Sequence, residues 1–215
     1  MGTTAVTTTV HIVRHGEVEN PGGVLYGRLP NFHLSALGRQ MAQVTADYLS
    51  VRDVVHVAAS PLERAQETAQ PIAARHGLDL QTDPRLIEAA NHFEGTTVAH
   101  GGVLRQPKHW PHMLNPFRPS WGEPYSAIAT RMLAALTTAR MQARGHEAVL
   151  VSHQLPVWTV RQQLEGRRLW HDPRRRECTL ASVTSVRYVG DEPVEVSYVE
   201  PAGHLLAAAR PGAGA

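Results

Sequence analysis

The chain has 215 residues, of which 42% are hydrophobic and 19% charged, with a formal net charge of +2. That is enough chain to bury one substantial core at the size of a single α/β domain, and too apolar a chain to stay disordered. A single cysteine, Cys178, excludes an intramolecular disulfide framework and a cysteine-built zinc site, and it points to a reducing, cytoplasmic setting.

All the basic residues except Lys108 are arginines. A guanidinium stays charged and grips an oxyanion with two parallel hydrogen bonds, although a compositional bias of the genome gives the same count. Thr3 to Thr9 has neither the basic start nor the apolar run of a signal peptide, and no window approaches the roughly 20 apolar residues of a membrane span. A soluble, cytoplasmic protein is the expectation.

Residues 1–9 read as a flexible tail. Val10, Ile12 and Val13 then form a β-branched run that suits a buried strand, and it ends in Arg14-His15-Gly16-Glu17. The loop beyond a strand's carboxyl end is where open α/β sheets hold ligands. This places a fixed cation and a titratable imidazole at the rim of a sheet. A histidine there can equally be a satisfied structural residue. Asn20-Pro21-Gly22-Gly23 marks a turn. A helix capped by Ser35 follows to about Leu49, with Leu37, Met41, Val44 and Tyr48 as its apolar stripe.

Val54 to Ala58 is the second strand. Ser60-Pro61-Leu62-Glu63 resembles a capping box that opens the next helix, with Ser60 as cap, and Arg64 falls in its first turn. Gly77 ends that helix, and Leu78 to Thr82 is a short strand candidate. From Ala89 to Trp121 the periodicity disappears in a Pro-rich segment carrying Trp110, Phe117 and Trp121. It is read as a cap insertion over the site, at about 89–123. A helix restarts after Gly122-Glu123-Pro124, with Ile128, Met132, Leu133 and Leu136 apolar. Ala148 to Val151 is a strongly buried strand ending in Ser152-His153-Gln154, and Leu155 to Leu164 is helical with Pro156 in its first turn. Leu180 to Val189 and Val194 to Val199 read as an antiparallel edge pair around Gly190-Asp191. The body is taken to run over 10–206 and the 207–215 tail to be disordered.

Taken together, Arg14-His15-Gly16-Glu17, Ser60-Pro61-Leu62-Glu63-Arg64-Ala65-Gln66-Glu67-Thr68-Ala69, Glu88 and Ser152-His153 resemble the histidine phosphatase superfamily, the phosphoglycerate mutase-like family, in order and in spacing from about Val10 to Val199. The fold expected is α/β: a three-layer α/β/α sandwich around a mostly parallel central sheet, with the cap over the carboxyl ends of the strands. The resemblance implies that His15 takes the phosphoryl group, that Arg14, Arg64 and His153 surround the phosphate, and that Glu88 is the proton donor. Asn20, Arg28 and Gln154 are candidate substrate contacts. The chain has His153-Gln154 where the family often has His-Gly, and Asn20 lies one residue closer to the first motif than the family's asparagine. Gly122-Glu123 resembles the pair that begins a helix in the family's cap region, where a capping role fits it better than catalysis.

Residue chemistry is consistent with this assignment. Phosphoryl transfer asks the protein mainly to position groups and to stabilise charge on the equatorial oxygens, neighbouring cations keep an attacking imidazole neutral, and a carboxyl near an incoming dianion holds its proton more tightly. No metal or other cofactor is then required. A phosphatase of small phosphorylated metabolites is favoured over a mutase because Glu88 is followed by Ala89-Ala90-Asn91-His92-Phe93-Glu94-Gly95, whereas the phosphoglycerate mutases carry an Arg-His-Tyr-Gly run. A binding module without turnover is a further alternative. His109 and His112 have metal-like spacing but no partner carboxylate motif. Arg167-Arg168 and Arg174-Arg175-Arg176 read as a solvated face, so neither nucleic acid nor membrane is an expected partner. The oligomeric state is left open, a homodimer included.

Overall fold

The central strands are apolar on both faces, which only a sheet covered on both sides accommodates. In the computed structural model, which describes residues 6–96 and 122–209, β1 (Thr7–Arg14), β2 (Val54–Ala59), β3 (Gln81–Thr82), β4 (Glu147–Ser152), β5 (Val183–Val189) and β6 (Glu192–Val199) form one sheet in the order β3-β2-β4-β1-β5-β6. The β3, β2, β4 and β1 strands are mutually parallel, while β5 and β6 run antiparallel at the edge.

Side-chain alternation along the strands splits the core in two. Val10 and Ile12 of β1 and Ala148 and Leu150 of β4 pack against α3 (Tyr125–Gln142) and α4 (Gln154–Leu164) through Ile128, Met132, Leu136, Val157 and Val160. Val13, Val57, Val149 and Val151 face the other way, onto Ala46, Leu49, Ala65, Ala69 and Ile72 of α1 (Ala36–Leu49) and α2 (Glu63–His76). The result is the expected three-layer α/β/α sandwich around a mostly parallel sheet.

Several local expectations shift. The β1 strand takes in Thr7, Thr8 and Thr9, assigned above to a tail, because the edge hairpin offers them Val189, Tyr188 and Arg187 as partners. Helix α1 buries Gly38, Met41, Ala42, Thr45, Ala46 and Leu49, whereas Leu37, Val44 and Tyr48 are half-buried. Small residues let this helix sit close to α2, which rotates the buried stripe away from the bulkier side chains. Only Gln81 and Thr82 of the third strand candidate pair with the sheet. The β5 strand starts at Val183 rather than Leu180, since Ala181 takes a positive φ of 55°. Gly203–Ala208 is a 3-10 turn, so the ordered chain continues past 206. The cap segment over 97–121, with His109 and His112, lies outside the described residues. Among the described residues no helix is long and apolar enough to cross a membrane.

Candidate active site

The register of the central strands brings the candidate residues together. Arg14 of β1 pairs with Ser152 of β4, and Ala59 of β2 pairs with Val151. The next residues of β1 and β4, His15 and His153, therefore leave the sheet at the same level, with Ser60 of β2 one register step behind, level with Ser152. Backbone bonds fasten that rim, with the His15 N–H donating to Ser152 O at 3.1 Å and the Ser60 N–H to Val151 O at 2.9 Å. The His15 and His153 rings meet edge to face, with centroids 5.1 Å apart and an interplanar angle of 61°.

The loop after His15 is pinned from both sides. The Gly16 N–H donates to Thr68 Oγ1 at 3.1 Å, and the Thr68 hydroxyl donates in turn to Arg64 O at 2.7 Å, joining the first loop to α2. A Cβ on Gly16 would stand 2.6 Å from Gly38 O, and one on Gly38 would collide with Glu17 O. Glycine at both positions is what lets the first turn of α1 close on the loop.

His15 is fully buried, and its Nδ1 donates to Gly16 O at 2.7 Å. A carbonyl only accepts, so the proton of neutral His15 belongs on Nδ1 and the lone pair on Nε2. That Nε2 has no protein partner. Burial, then the Arg64 and Arg14 charges, hold the His15 pKa well below its ordinary value.

His153 is the complementary case. The Ser60 hydroxyl accepts from the Leu62 N–H at 3.4 Å and meets His153 Nε2 at 2.8 Å. When the hydroxyl donates to Nε2, the proton of neutral His153 sits on Nδ1, which has no protein partner. Burial and the Arg64 charge keep this ring neutral too. Sequence reading assigned Ser60 to the helix cap, but α2 begins at Glu63 with no side-chain cap, and Glu63 accepts from Asn31 N–H instead.

The arginines supply fixed charge around this pair. Arg64 is fully buried, donates from Nη2 to Gly27 O at 2.6 Å and stacks 4.6 Å over the Tyr26 ring, with Nε and Nη1 unpartnered. Arg14 donates from Nη1 to Cys178 O at 2.6 Å and leaves Nε unpartnered. Glu88 is 3% exposed; its Oε1 accepts from the Ala89 N–H at 2.8 Å and its Oε2 has no partner. Burial raises the Glu88 pKa, against the pull of Arg64, Arg176 and Arg14. Buried polar atoms in folded proteins are nearly always paired. His15 Nε2, Arg14 Nε, Arg64 Nε and Nη1, His153 Nδ1 and Glu88 Oε2 are buried polar atoms without a protein partner.

The secondary candidates divide. Gln154 donates to Cys178 O and accepts from Arg176 Nη1, each at 3.4 Å, at the edge of this cluster. The Asn20 amide bonds to Val24 through both of its atoms, which closes the 20–24 turn. Arg28 donates to Glu88 O and to Glu123. Glu123 does not cap α3, whose N-cap is Pro124. Sequence reading missed Arg176: Arg174 and Arg175 are exposed as expected, but Arg176 turns inward, donates to His171 Nε2 at 2.8 Å and acts on Glu88. A run of three arginines gives no sign of which one faces the core. Among the described residues no three His, Cys, Asp or Glu side chains are grouped to hold a metal ion.

Comparison with known proteins agrees with the geometry. The family model of the histidine phosphatase superfamily (branch 1) matches residues 10–201. The chain is 63% identical over 196 residues to an uncharacterized protein of Mycobacterium tuberculosis (strain ATCC 25618 / H37Rv), covering 91% of this chain and 97% of that protein. It is 31% identical over 184 residues to a probable phosphoglycerate mutase of Yersinia enterocolitica, covering 81% and 83%. In fold it matches a mycobacterial glucosyl-3-phosphoglycerate phosphatase with a TM-score of 0.71 at 23% identity, over 89% of this chain and 97% of that one. The chain belongs to branch 1 of the histidine phosphatase superfamily and is an enzyme of this phosphoglycerate mutase-like family.

Proposed function

We propose that the protein is a metal-independent phosphomonoester hydrolase that acts on a small phosphorylated metabolite through a phosphohistidine on His15. One observation carries the reading: the buried His15 Nε2 lone pair lies in a cluster with unpartnered donors on Arg14, Arg64 and His153 and with an unpartnered Glu88 Oε2.

In the first step Nε2 attacks phosphorus, the N–P bond forms and the ester P–O bond breaks, while the leaving alkoxide takes the proton of the Glu88 carboxyl. Arg14, Arg64 and His153 Nδ1–H hold the equatorial oxygens, where preorganised donors lower the barrier most. In the second step Glu88, now a carboxylate, accepts a proton from the water that attacks phosphorus. The N–P bond breaks, phosphate leaves and His15 is again neutral. Gln154 and Arg176, bonded to each other at the edge of the cluster, are the contacts this reading assigns to the substrate beyond its phosphate. A cytoplasmic site of action fits the single reduced cysteine, Cys178.

The similarity to a probable phosphoglycerate mutase favours a second reading, in which the phosphoenzyme passes its group to another acceptor. A panel of phosphate esters distinguishes the two. Release of phosphate that disappears in His15→Ala supports hydrolysis. Efficient isomerisation of 3-phosphoglycerate with negligible phosphate release would replace hydrolysis by the mutase reading.

A further inference from the structure

Glu88 stands on an irregular stretch. It follows the single 3-10 turn Pro84–Leu86 and belongs to neither a helix nor a strand, so its position has to be imposed from outside. Two backbone carbonyls of this stretch are held by arginines: Arg85 O, three residues before Glu88, accepts from Arg131 Nη1 at 2.5 Å, and the carbonyl of Glu88 itself accepts from Arg28 Nε at 2.7 Å. One carboxylate gathers both cations. Glu123 Oε2 accepts from Arg28 Nη2 at 2.9 Å and from Arg131 Nη2 at 3.0 Å, and Oε1 accepts from Arg131 Nε at 2.9 Å. Glu123 is also tied to the same stretch by its backbone, with its N–H donating to Ala90 O at 3.1 Å beside the Gly122–Asn91 bridge.

We infer that Glu123 is a positioning residue for the reaction: by clamping Arg28 onto the carbonyl of Glu88 and Arg131 onto that of Arg85, it fixes where the Glu88 carboxyl delivers its proton. This rests on reading Glu88 as the proton donor. The Arg131 half of the clamp is bidentate, the geometry that orients a guanidinium as well as attracting it. The Glu123 and Arg131 side chains are 17% and 16% exposed, so water screens the pair little. Without the carboxylate, two cations face each other with nothing between them, and both carbonyl anchors loosen. Misplacing a reacting group by about 1 Å can cost on the order of 100-fold in rate.

A proton donor matters only when the leaving group needs the proton, and this separates positioning from general structural damage. An alkoxide leaves poorly without protonation, whereas p-nitrophenolate leaves without it. Glu123→Gln and Arg131→Lys are compared with the unaltered protein on glycerol 2-phosphate and on p-nitrophenyl phosphate, with Glu88→Gln as the reference and thermal melts to verify folding. The expected result is a fall of about tenfold or more in kcat/KM for the alkyl ester, a quantity that reads only the steps up to loss of the leaving group, with the aryl-ester kcat/KM changing by less than about threefold. Equal losses on the two esters, or no loss on either, overturn the inference when Glu88→Gln still discriminates between them.

Amide exchange over 86–91 reads the clamp independently of chemistry. Faster exchange in Glu123→Gln supports the anchoring, and unchanged exchange overturns it. If Glu88→Gln fails to discriminate while exchange in Glu123→Gln still rises, the proton-donor reading falls and the clamp stands as a structural tie only, which overturns its role in the reaction.

Discussion

The His15 and His153 rings touch edge to face at 5.1 Å because Arg14 and Ser152 are register partners on adjacent parallel strands. Residues 138 positions apart are thus made neighbours by the sheet rather than by any local motif. The pair is asymmetric: His15 is bonded through Nδ1 to Gly16 O, which leaves Nε2 open, and His153 is bonded through Nε2 to Ser60, which leaves Nδ1 open. In the proposed reaction the same residue type would supply a nucleophile and an electrophilic donor because the two rings are bonded differently.

The first prediction concerns the nucleophile. His15→Ala removes the atom that bonds phosphorus, and turnover of every phosphate ester should fall by at least about 10³-fold. The circular dichroism spectrum should be retained, since the strand and its register do not depend on the ring. Undiminished turnover would eliminate His15 as the phosphoryl acceptor.

Ser60→Ala should leave His153 free to hold its proton on either nitrogen. The expected effect is a fall in kcat/KM of about tenfold, with a stability loss of about 1–2 kcal/mol for the lost buried hydrogen bond. Ser60→Thr keeps the hydroxyl and should retain activity. Equal damage in both variants would mean that packing, rather than the proton on His153, is what Ser60 provides.

How far the sequence alone reached follows the same logic. The β-branched run into Arg14-His15-Gly16 and the buried run into Ser152-His153 show strand ends that carry chemistry, because a strand's apolar alternation and its terminus are local properties. The layer order follows from strands alternating with helices. The partners of Ser60, Glu123 and Arg176 are set by long-range register and loop paths, which no local pattern records. Ser60 has the spacing of a helix cap and Glu123 precedes a helix, so local rules assigned both to capping. The sheet instead brings Ser60 to His153, and Glu123 is turned toward Arg28 and Arg131.

The pH profile should reflect the two depressed imidazoles and the raised carboxyl. Reaction needs His15 neutral and Glu88 protonated. The His15 pKa lies well below 6.5 and that of Glu88 above 4.5, so the ascending limb of kcat/KM should fall well below pH 6.5 and activity should persist in mildly acid solution. Stability follows with its own sign. In the unfolded chain these histidines protonate near 6.5, and in the folded protein only at lower pH, so stability should be lost as pH falls through that range. Raised Glu88 acts oppositely: its contribution is full below about pH 4.5 and is lost as pH rises through the folded value. Urea titrations between pH 7 and pH 5 read the histidine effect, which should shrink in His15→Ala. An ascending limb at 6.5 would contradict the depressed His15.

Arg176 has neutral partners, His171 and Gln154, in the hydrogen bonds it makes, and its charge is among those that hold the Glu88 pKa down. Arg176→Gln should therefore raise that pKa further and move the descending limb of the pH profile to higher pH, with KM for an anionic ester rising several-fold. A variant whose descending limb stays in place while the protein remains folded would remove Arg176 from the field of Glu88.

The open donors themselves make a prediction about ligand-linked stability. Arg14 Nε, Arg64 Nε and Nη1 and His153 Nδ1 are buried donors without a protein partner, and a tetrahedral oxyanion accepts charge-assisted hydrogen bonds from such donors. Orthovanadate or inorganic phosphate should raise the melting temperature. An anion present at 100 times its dissociation constant stabilises the native state by about 2.7 kcal/mol, and for a chain of this size each kcal/mol corresponds to about 2–4 °C, so a shift of roughly 5–10 °C is expected at saturation. Arg64→Gln removes two of the open donors together with the charge that faces them, and its melting temperature should hardly respond to either anion. Arg39→Gln, whose side chain pairs with Glu67 on the exposed surface of α1, should respond as the unaltered protein does. If both variants respond alike, the anion is binding somewhere other than between His15 and Arg64, and the cationic pocket is not a phosphate site.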